Sequence, residues 1–208
     1  AIESKDDAGA IALAGGAESF RTAIASGTAP CVPLDDPAHV WVLVIKTHPY
    51  DPIDYRPAPL VMPDGIRNTA RGALRADAAA AMTELVAAAD AAGAGEVALN
   101  SAYRSYRTQQ STYGNLVSAK GRAQADMVSA RPGYSEHQSG IAADVAACSG
   151  GCGGLDGFDG TPQEEWVAAH SWEYGWIVRY EAGYTDITGY EPEPWHLRYI
   201  GKELAQAY

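Results

Sequence analysis

Two short stretches hold the residue types from which a hydrolytic site is built. In Ser135-Glu136-His137-Gln138-Ser139-Gly140-Ile141-Ala142-Ala143-Asp144, a loop can deliver the histidine and the following strand the aspartate. Gly140 and Ala142, between them, are small enough for close backbone approach. In Glu191-Pro192-Glu193-Pro194-Trp195-His196, an acid stands three positions before a histidine, a spacing that sets a base beside a ligand. A catalytic zinc site takes three protein ligands and keeps one position open, with imidazole nitrogen at ~2.0–2.1 Å and carboxylate oxygen at ~2.0–2.2 Å. His137, Asp144 and His196 supply such a set. Glu193, the nearer acid, is placed to be the general base, with Glu191 as its competitor. Taken singly, a loop histidine is usually a surface or hydrogen-bonded residue, and a Glu-Pro-Glu-Pro run is usually a solvated turn. The metal reading therefore depends on the two stretches meeting.

The elements that must bring them together follow from periodicity and punctuation. The run Val40 to Ile45 is β-branched and aromatic and predicts a buried strand. From His48 to Pro63 the prolines exclude regular structure and predict an ordered excursion or a mobile loop. Met82, Leu85 and Val86 recur at helical spacing within Ala78 to Ala92, and Gly93 ends that helix. Glu96 to Ser101 alternates as a strand does, and the polar stretch from Ser105 to about Ala130 is compatible with helix. A capping box, Thr161-Pro162-Gln163-Glu164, opens a second helical segment reaching Tyr174. Trp176 to Tyr180 and Trp195 to Tyr199 read as short strands, and a closing helix starts near Gly201. Residues 1–30, rich in Ala, Gly and Ser, form a linker or marginal helix, and residues 31–208 form the domain that carries the chemistry. Strands and helices mix without a βαβ rhythm, so the expected class is α+β, helices against an antiparallel sheet.

Composition narrows the partners. The chain has 208 residues, 47% hydrophobic and 20% charged, a balance that matches a folded globular protein. Fifteen basic residues stand against 26 acidic ones, and the net charge of -11 repels nucleic acid and anionic membrane surfaces. No apolar run reaches the ~20 residues that cross a bilayer. The beginning, Ala1-Ile2-Glu3-Ser4, has neither an initiator methionine nor a signal-peptide pattern and reads as a processed or trimmed portion. Cys148 and Cys152, close together among glycines, are expected to form a loop disulfide in an extracytoplasmic setting. Cys31, without a partner, is expected to be a buried thiol. His39, His48 and His170 fit no ligand spacing and are assigned structural or exposed places. Trp195 is assigned to packing beside His196. Tyr190 and Tyr199 flank the site in sequence and are candidates to shape its pocket. The pairs Asp35-Asp36 and Glu164-Glu165 read as solvated faces or helix starts. A nucleophilic mechanism has little support, because Ser135 lacks an elbow context and the paired cysteines sit in a glycine-rich loop.

The motifs resemble those of the VanY-type D,D-carboxypeptidases, within the zinc metallopeptidases that also include D-Ala-D-Ala dipeptidases and L-alanyl-D-glutamate endopeptidases. The S-x-H-x-x-G-x-A-x-D pattern is matched in full from Ser135 to Asp144, and E-P-W-H from Glu193 to His196. Ser101-Ala102-Tyr103-Arg104-Ser105, with Gln109 following, and the run Tyr174 to Tyr180 are also similar, and weaker similarity reaches back to Val42-Leu43-Val44. The resemblance implies one zinc ion held by His137, Asp144 and His196, with Glu193 as general base. It also implies that Arg104 faces the substrate, forked onto a terminal carboxylate or set against a developing oxyanion. Ser135 and Gln109 would help hold the substrate's terminal portion. The implied activity is removal of D-alanine from peptidoglycan stem peptides ending in D-Ala-D-Ala, outside the cytoplasm and by a monomer. The rivals are an L,D-carboxypeptidase or endopeptidase on the same wall and a silent cell-wall-binding module.

Overall fold

The computed structural model describes all residues, 1–208. Two short helices, α1 (Asp7–Leu13) and α2 (Ala17–Ala25), open the chain. A small antiparallel ribbon follows, β1 (Leu60–Val61) with β2 (Leu74–Arg75), leading directly into α3 (Ala76–Ala91). Next come β3 (Glu96–Ser101), α4 (Tyr106–Lys120), α5 (Arg122–Val128), β4 (Ala142–Ser149) and β5 (Gly151–Cys152). The chain ends with α6 (Pro162–His170), β6 (Trp176–Tyr180), α7 (Thr185–Thr188), β7 (Glu193–Tyr199) and α8 (Lys202–Ala205). The central sheet has the order β3-β4-β7-β6, every pairing antiparallel, with β5 folded back on β4. The α+β class expected from the sequence is the observed one.

Alternation along the strands gives this sheet two unlike faces. Val97, Leu99, Ala143, Val145 and Leu197 point into one core with Leu74, Met82, Leu85 and Phe158. That core forms because α3, rich in alanine and so a strong helix former, presents Ala78, Met82, Leu85, Val86 and Ala89 along one stripe. Burying Leu85 completely stabilises the fold by about 1.5–3 kcal/mol. Residues of opposite parity on the same strands, Asp144, His196 and Arg198, face away from α3 and belong to the chemistry.

Local signals account for the boundaries. Ser105 caps α4 by accepting from the Thr108 backbone N–H, and Thr161 caps α6 by accepting from that of Glu164. Glu164 and Glu165 fall in the first turn of α6, as their reading as a helix start requires. The proline-rich stretch is an ordered excursion, held by Gln138, whose amide donates to the carbonyls of Ile53 at 2.8 Å and Tyr55 at 3.2 Å. The expected boundary at residue 30 does not mark a gap in packing. Ile11 and Phe20 of the first two helices form a second apolar cluster with Val40 and Trp41.

Two expectations are corrected. Val40 to Ile45 is not a strand: it is irregular, with Val40, Trp41, Val42 and Val44 buried and Leu43 exposed. Its apolar content drives burial, but the acceptors that a strand would pair along a ladder are taken by one side chain. Arg198 Nη2 donates to the carbonyls of Val40 at 3.0 Å and Val42 at 2.8 Å. A buried guanidinium thus satisfies backbone that no neighbouring strand reaches. Cys31 is exposed, in a turn outside that cluster, and is not a buried thiol. Cys148 and Cys152 are joined as a disulfide and are direct partners across the β4–β5 hairpin. No helix is long and apolar enough to cross a membrane.

Candidate metal centre

Strand register does the first half of the assembly. Asp144 of β4 and His196 of β7 are direct partners across the antiparallel pair, so two residues far apart in sequence become immediate neighbours on one face. His137 comes from a single tight helical turn, Glu136–Ser139, just before β4. Gly140 ends that turn with φ of +73°, a conformation that favours glycine, and an added Cβ would lie a tight 3.1 Å from the Leu60 and Pro57 side chains. The turn is tied to the loop after β3 at two points. The Arg104 backbone N–H donates to the His137 carbonyl at 3.1 Å, and His137 Nδ1 faces the Ala102 carbonyl at 2.8 Å.

A carbonyl only accepts, so the His137 proton sits on Nδ1 and the lone pair on Nε2. Nε2 lies 3.3 Å from Asp144 Oδ2, and His196 Nδ1 lies 3.0 Å from Asp144 Oδ1. Ligand atoms from the three residues all fall within 4.8 Å of one another, and all three residues are buried. Bonds of ~2.0–2.2 Å in a tetrahedron separate ligand atoms by about 3.3–3.6 Å, so the donor set and its spacing fit a single divalent cation. The opposite nitrogen of His196, Nε2, lies 3.1 Å from Glu136 Oε2. Glu136 Oε1 in turn accepts from Arg179 Nε and Arg198 Nη1, both at 2.8 Å.

The electrostatics ask for positive charge at the centre. Burial opposes ionisation of Asp144, but His137 and His196 outweigh it and hold the carboxyl well below the usual range. Burial likewise opposes charge on His196. Its hydrogen bonds to Asp144 and Glu136 prevail and raise its pKa to about 9, so Nδ1 attracts a proton or a cation.

A cleft opens over this cluster, lined among others by Arg104, Ser135, Glu193, Tyr180, Tyr190 and Thr112 of α4. Glu193 Oε2 stands 3.7 Å from His196 Nδ1 without joining the three-residue cluster, and burial raises its pKa. Glu191 is exposed and outside the cleft. Arg104 reaches no carboxylate. Its Nη2 donates to Ser135 Oγ at 3.4 Å and its buried Nε has no partner, leaving donors for something in the cleft. Gln109 lies elsewhere than the substrate-facing position expected of it. It is fully buried behind the wall, its amide donating to Ser129 Oγ at 3.1 Å and to the Ala130 carbonyl at 2.6 Å. Ser129 and Ala130 do line the cleft, so Gln109 holds the wall rather than forming it. Tyr190 lines the cleft as expected, whereas Tyr199 packs on Trp176 at 5.4 Å. His39 is structural, its Nδ1 2.6 Å from Asp7 Oδ1, and His170 is half-buried beside Glu173. Trp195, half-buried, packs against the main core and also lines the cleft.

Four residues of the site escaped the sequence reading: Glu136, Arg179, Arg198 and Tyr180. Tyr180 lies over the His196 ring with centroids 4.9 Å apart. The signal for Arg198 was parity, since it sits two positions after His196 on one strand and must share its buried face. A buried arginine in turn demands an acid, and of the two acids in these stretches left without a site role, Glu136 is buried and Glu191 is exposed.

A family model described as D-alanyl-D-alanine carboxypeptidase, VanY, matches residues 71–202. YodJ of Bacillus subtilis (strain 168), named as an inferred carboxypeptidase, is 38% identical over 83% of this chain and 64% of its own length. The chain thus spans less than two thirds of that relative. Among solved structures, the LdcB LD-carboxypeptidase superposes with a TM-score of 0.77 at 39% identity, covering 82% of this chain and 81% of that one. The vancomycin resistance D,D-pentapeptidase VanY, solved as a variant in complex with Zn(II), gives 0.61 at 29%, covering 79% and 90%. The matched span runs from just before β2 into α8 and contains every residue of the cluster and its cleft, so this chain belongs to the VanY D-alanyl-D-alanine carboxypeptidase family.

Proposed function

We propose that this chain is a zinc carboxypeptidase that releases the terminal D-alanine from peptidoglycan stem peptides ending in D-Ala-D-Ala. The observation that carries it is a cleft in which His137, Asp144 and His196 converge, lined also by Glu193, 3.7 Å from His196 Nδ1, and by Arg104, which pairs with no carboxylate. His137 Nε2, Asp144 and His196 Nδ1 would hold the ion, and Zn(II) in the VanY relative supports its identity. When bound, zinc lowers the pKa of water to about 7 and polarises a carbonyl. Glu193 Oε2 takes the proton of the attacking water and passes it to the leaving amine. Burial raises its pKa above that of an ordinary glutamate, which makes it a better proton acceptor. Arg104 and the Ser135 hydroxyl together offer donors to the substrate's terminal carboxylate, a charge-assisted interaction strengthened by the half-buried cleft. The disulfide suits action at the wall, outside the cytoplasm.

A second reading concerns the bond. The likeness to LdcB supports an L,D-carboxypeptidase that acts on the tetrapeptide. Synthetic tri-, tetra- and pentapeptides, with and without chelator, separate the two. Zinc-dependent D-alanine release from pentapeptide that stops at tetrapeptide is the expected result. Release from tetrapeptide alone transfers the assignment to the L,D bond, and cleavage of none at full zinc occupancy removes the enzymatic reading.

A further inference from the structure

Glu136 is buried and fully engaged by charged partners, yet it makes no hydrogen bond or ion pair with the cleft's acid Glu193 or with Arg104. It is 2% exposed and takes three hydrogen bonds, two from arginines on one oxygen and one from His196 Nε2 on the other. Arg179 has no other ion pair, and Arg198 spends its remaining donors on backbone carbonyls. The arrangement is directional. With Oε1 claimed by two guanidinium groups, Oε2 is left facing the imidazole, and an ionised carboxylate there can only accept.

We propose that Glu136, clamped by Arg179 and Arg198, is a positioning residue that sets the tautomer and ring angle of His196, so that the Nδ1 lone pair points at the metal. The inference rests on the metal-site reading of His137, Asp144 and His196. Its physical content is that an imidazole which donates Nε2–H to a fixed acceptor must present a bare Nδ1 to the other side. Both alternatives are closed. Rotating the ring by 180° about Cβ–Cγ would exchange Nδ1 with Cδ2 and Nε2 with Cε1, setting ring C–H groups where the nitrogens now face Asp144 and Glu136, and Tyr180 packed at 4.9 Å over the ring resists it. Moving the proton to Nδ1 would set two unprotonated acceptors, Nε2 and Oε2, against each other at 3.1 Å. The arginines supply what a lone carboxylate would lack. Their two donors on Oε1 fix which of its oxygens faces the histidine.

Glu136→Gln is a sharp test, because the two arginines require the amide oxygen. The NH2 group then faces His196 Nε2 and donates to it, which selects the tautomer with a proton on Nδ1. The expected result is zinc affinity, measured by competition with a fluorescent chelator, weakened about 10–100-fold. The visible absorption of the Co(II)-loaded protein should change, while the far-UV circular dichroism stays that of the parent. Glu136→Asp, which restores an anionic acceptor, should recover part of the affinity. Equal zinc affinity and an equal Co(II) spectrum in folded Glu136→Gln would overturn the proposal. Should that variant not fold, 15N NMR of histidine-labelled parent protein decides. Protonated Nε2 and metallated Nδ1 at His196 support it, and the reverse assignment overturns it. A parent protein that binds no zinc would instead sink the metal-site reading itself.

Discussion

Glu193 and Glu191 stand two residues apart and differ in everything that matters for acid–base work. One is drawn into the cleft at 3.7 Å from His196 Nδ1 with its pKa raised by burial, and the other is in solvent. Replacing Glu193 by Gln keeps the shape and removes the proton carrier. Zinc content by elemental analysis should stay at the parent's level while kcat for D-alanine release falls roughly 10²–10⁴-fold. Glu191→Gln should leave both unchanged, and a loss of turnover in that variant would exchange the two assignments. His196→Ala, by contrast, removes a ligand, so metal retention itself should drop.

At the scale of elements, the site depends on a turn and a pair of strands more than on any helix. The turn at Glu136–Ser139 closes through Gly140 at φ +73°, where the Cβ of any other residue meets Leu60, Pro57 and the Arg75 amide. Gly140→Ala should therefore cost about 1–2 kcal/mol in chemical denaturation from backbone strain alone. Zinc affinity should also fall, because His137 is carried on the same turn. Stability and affinity equal to the parent would show that the turn is not tied to the centre. The β4–β5 hairpin lies at the far end of the strand that carries Asp144. Replacing Cys148 and Cys152 by Ser should lower stability by about 2 kcal/mol at most and leave metal content unchanged, since so short a loop removes little chain entropy.

Over the whole molecule, one sheet separates an apolar core from a buried cluster of charge. The cluster ties the cleft to the N-terminal half. Arg198 bonds Glu136 with one nitrogen and the carbonyls of Val40 and Val42 with another, and those two residues pack into the apolar clusters. This makes stability depend on pH in a definite direction. Burial would raise the Glu136 carboxyl, but Arg179, Arg198 and His196 hold it far below the ordinary glutamate value of 4.5. A depressed folded-state pKa contributes stability that is complete above that ordinary value and is lost as pH falls below it, when the unfolded chain binds the proton first. The thermal midpoint of the zinc-free protein should thus drop as pH falls from 5 to 3. The drop should be shallower in Glu136→Gln, which has no such carboxyl to protonate. An identical pH dependence in both proteins would mean that the arginine clamp does not stabilise the ionised form.

Much of this was legible in the linear chain, for identifiable reasons. Ligand types, the acid before His196, the helix over Met82 and Leu85, the strand at Glu96–Ser101, the helical stretch from Ser105 and the cap at Thr161 are written in local spacing, which acts within a few residues. Three things were decided only by tertiary structure. Val40 to Ile45 has the content of a strand but no strand to pair with, because Arg198 reaches its carbonyls from across the fold. Gln109 has the donors of a substrate contact, but α4 turns it behind Ser129 and Ala130. Glu136 carries no local mark of importance beside His137. Its role exists because β-sheet register sets His196 opposite Asp144 and parity sends Arg198 to the same side. Residue type fixes which chemistry is available, whereas the pairing of distant strands fixes which atoms are close enough to use it.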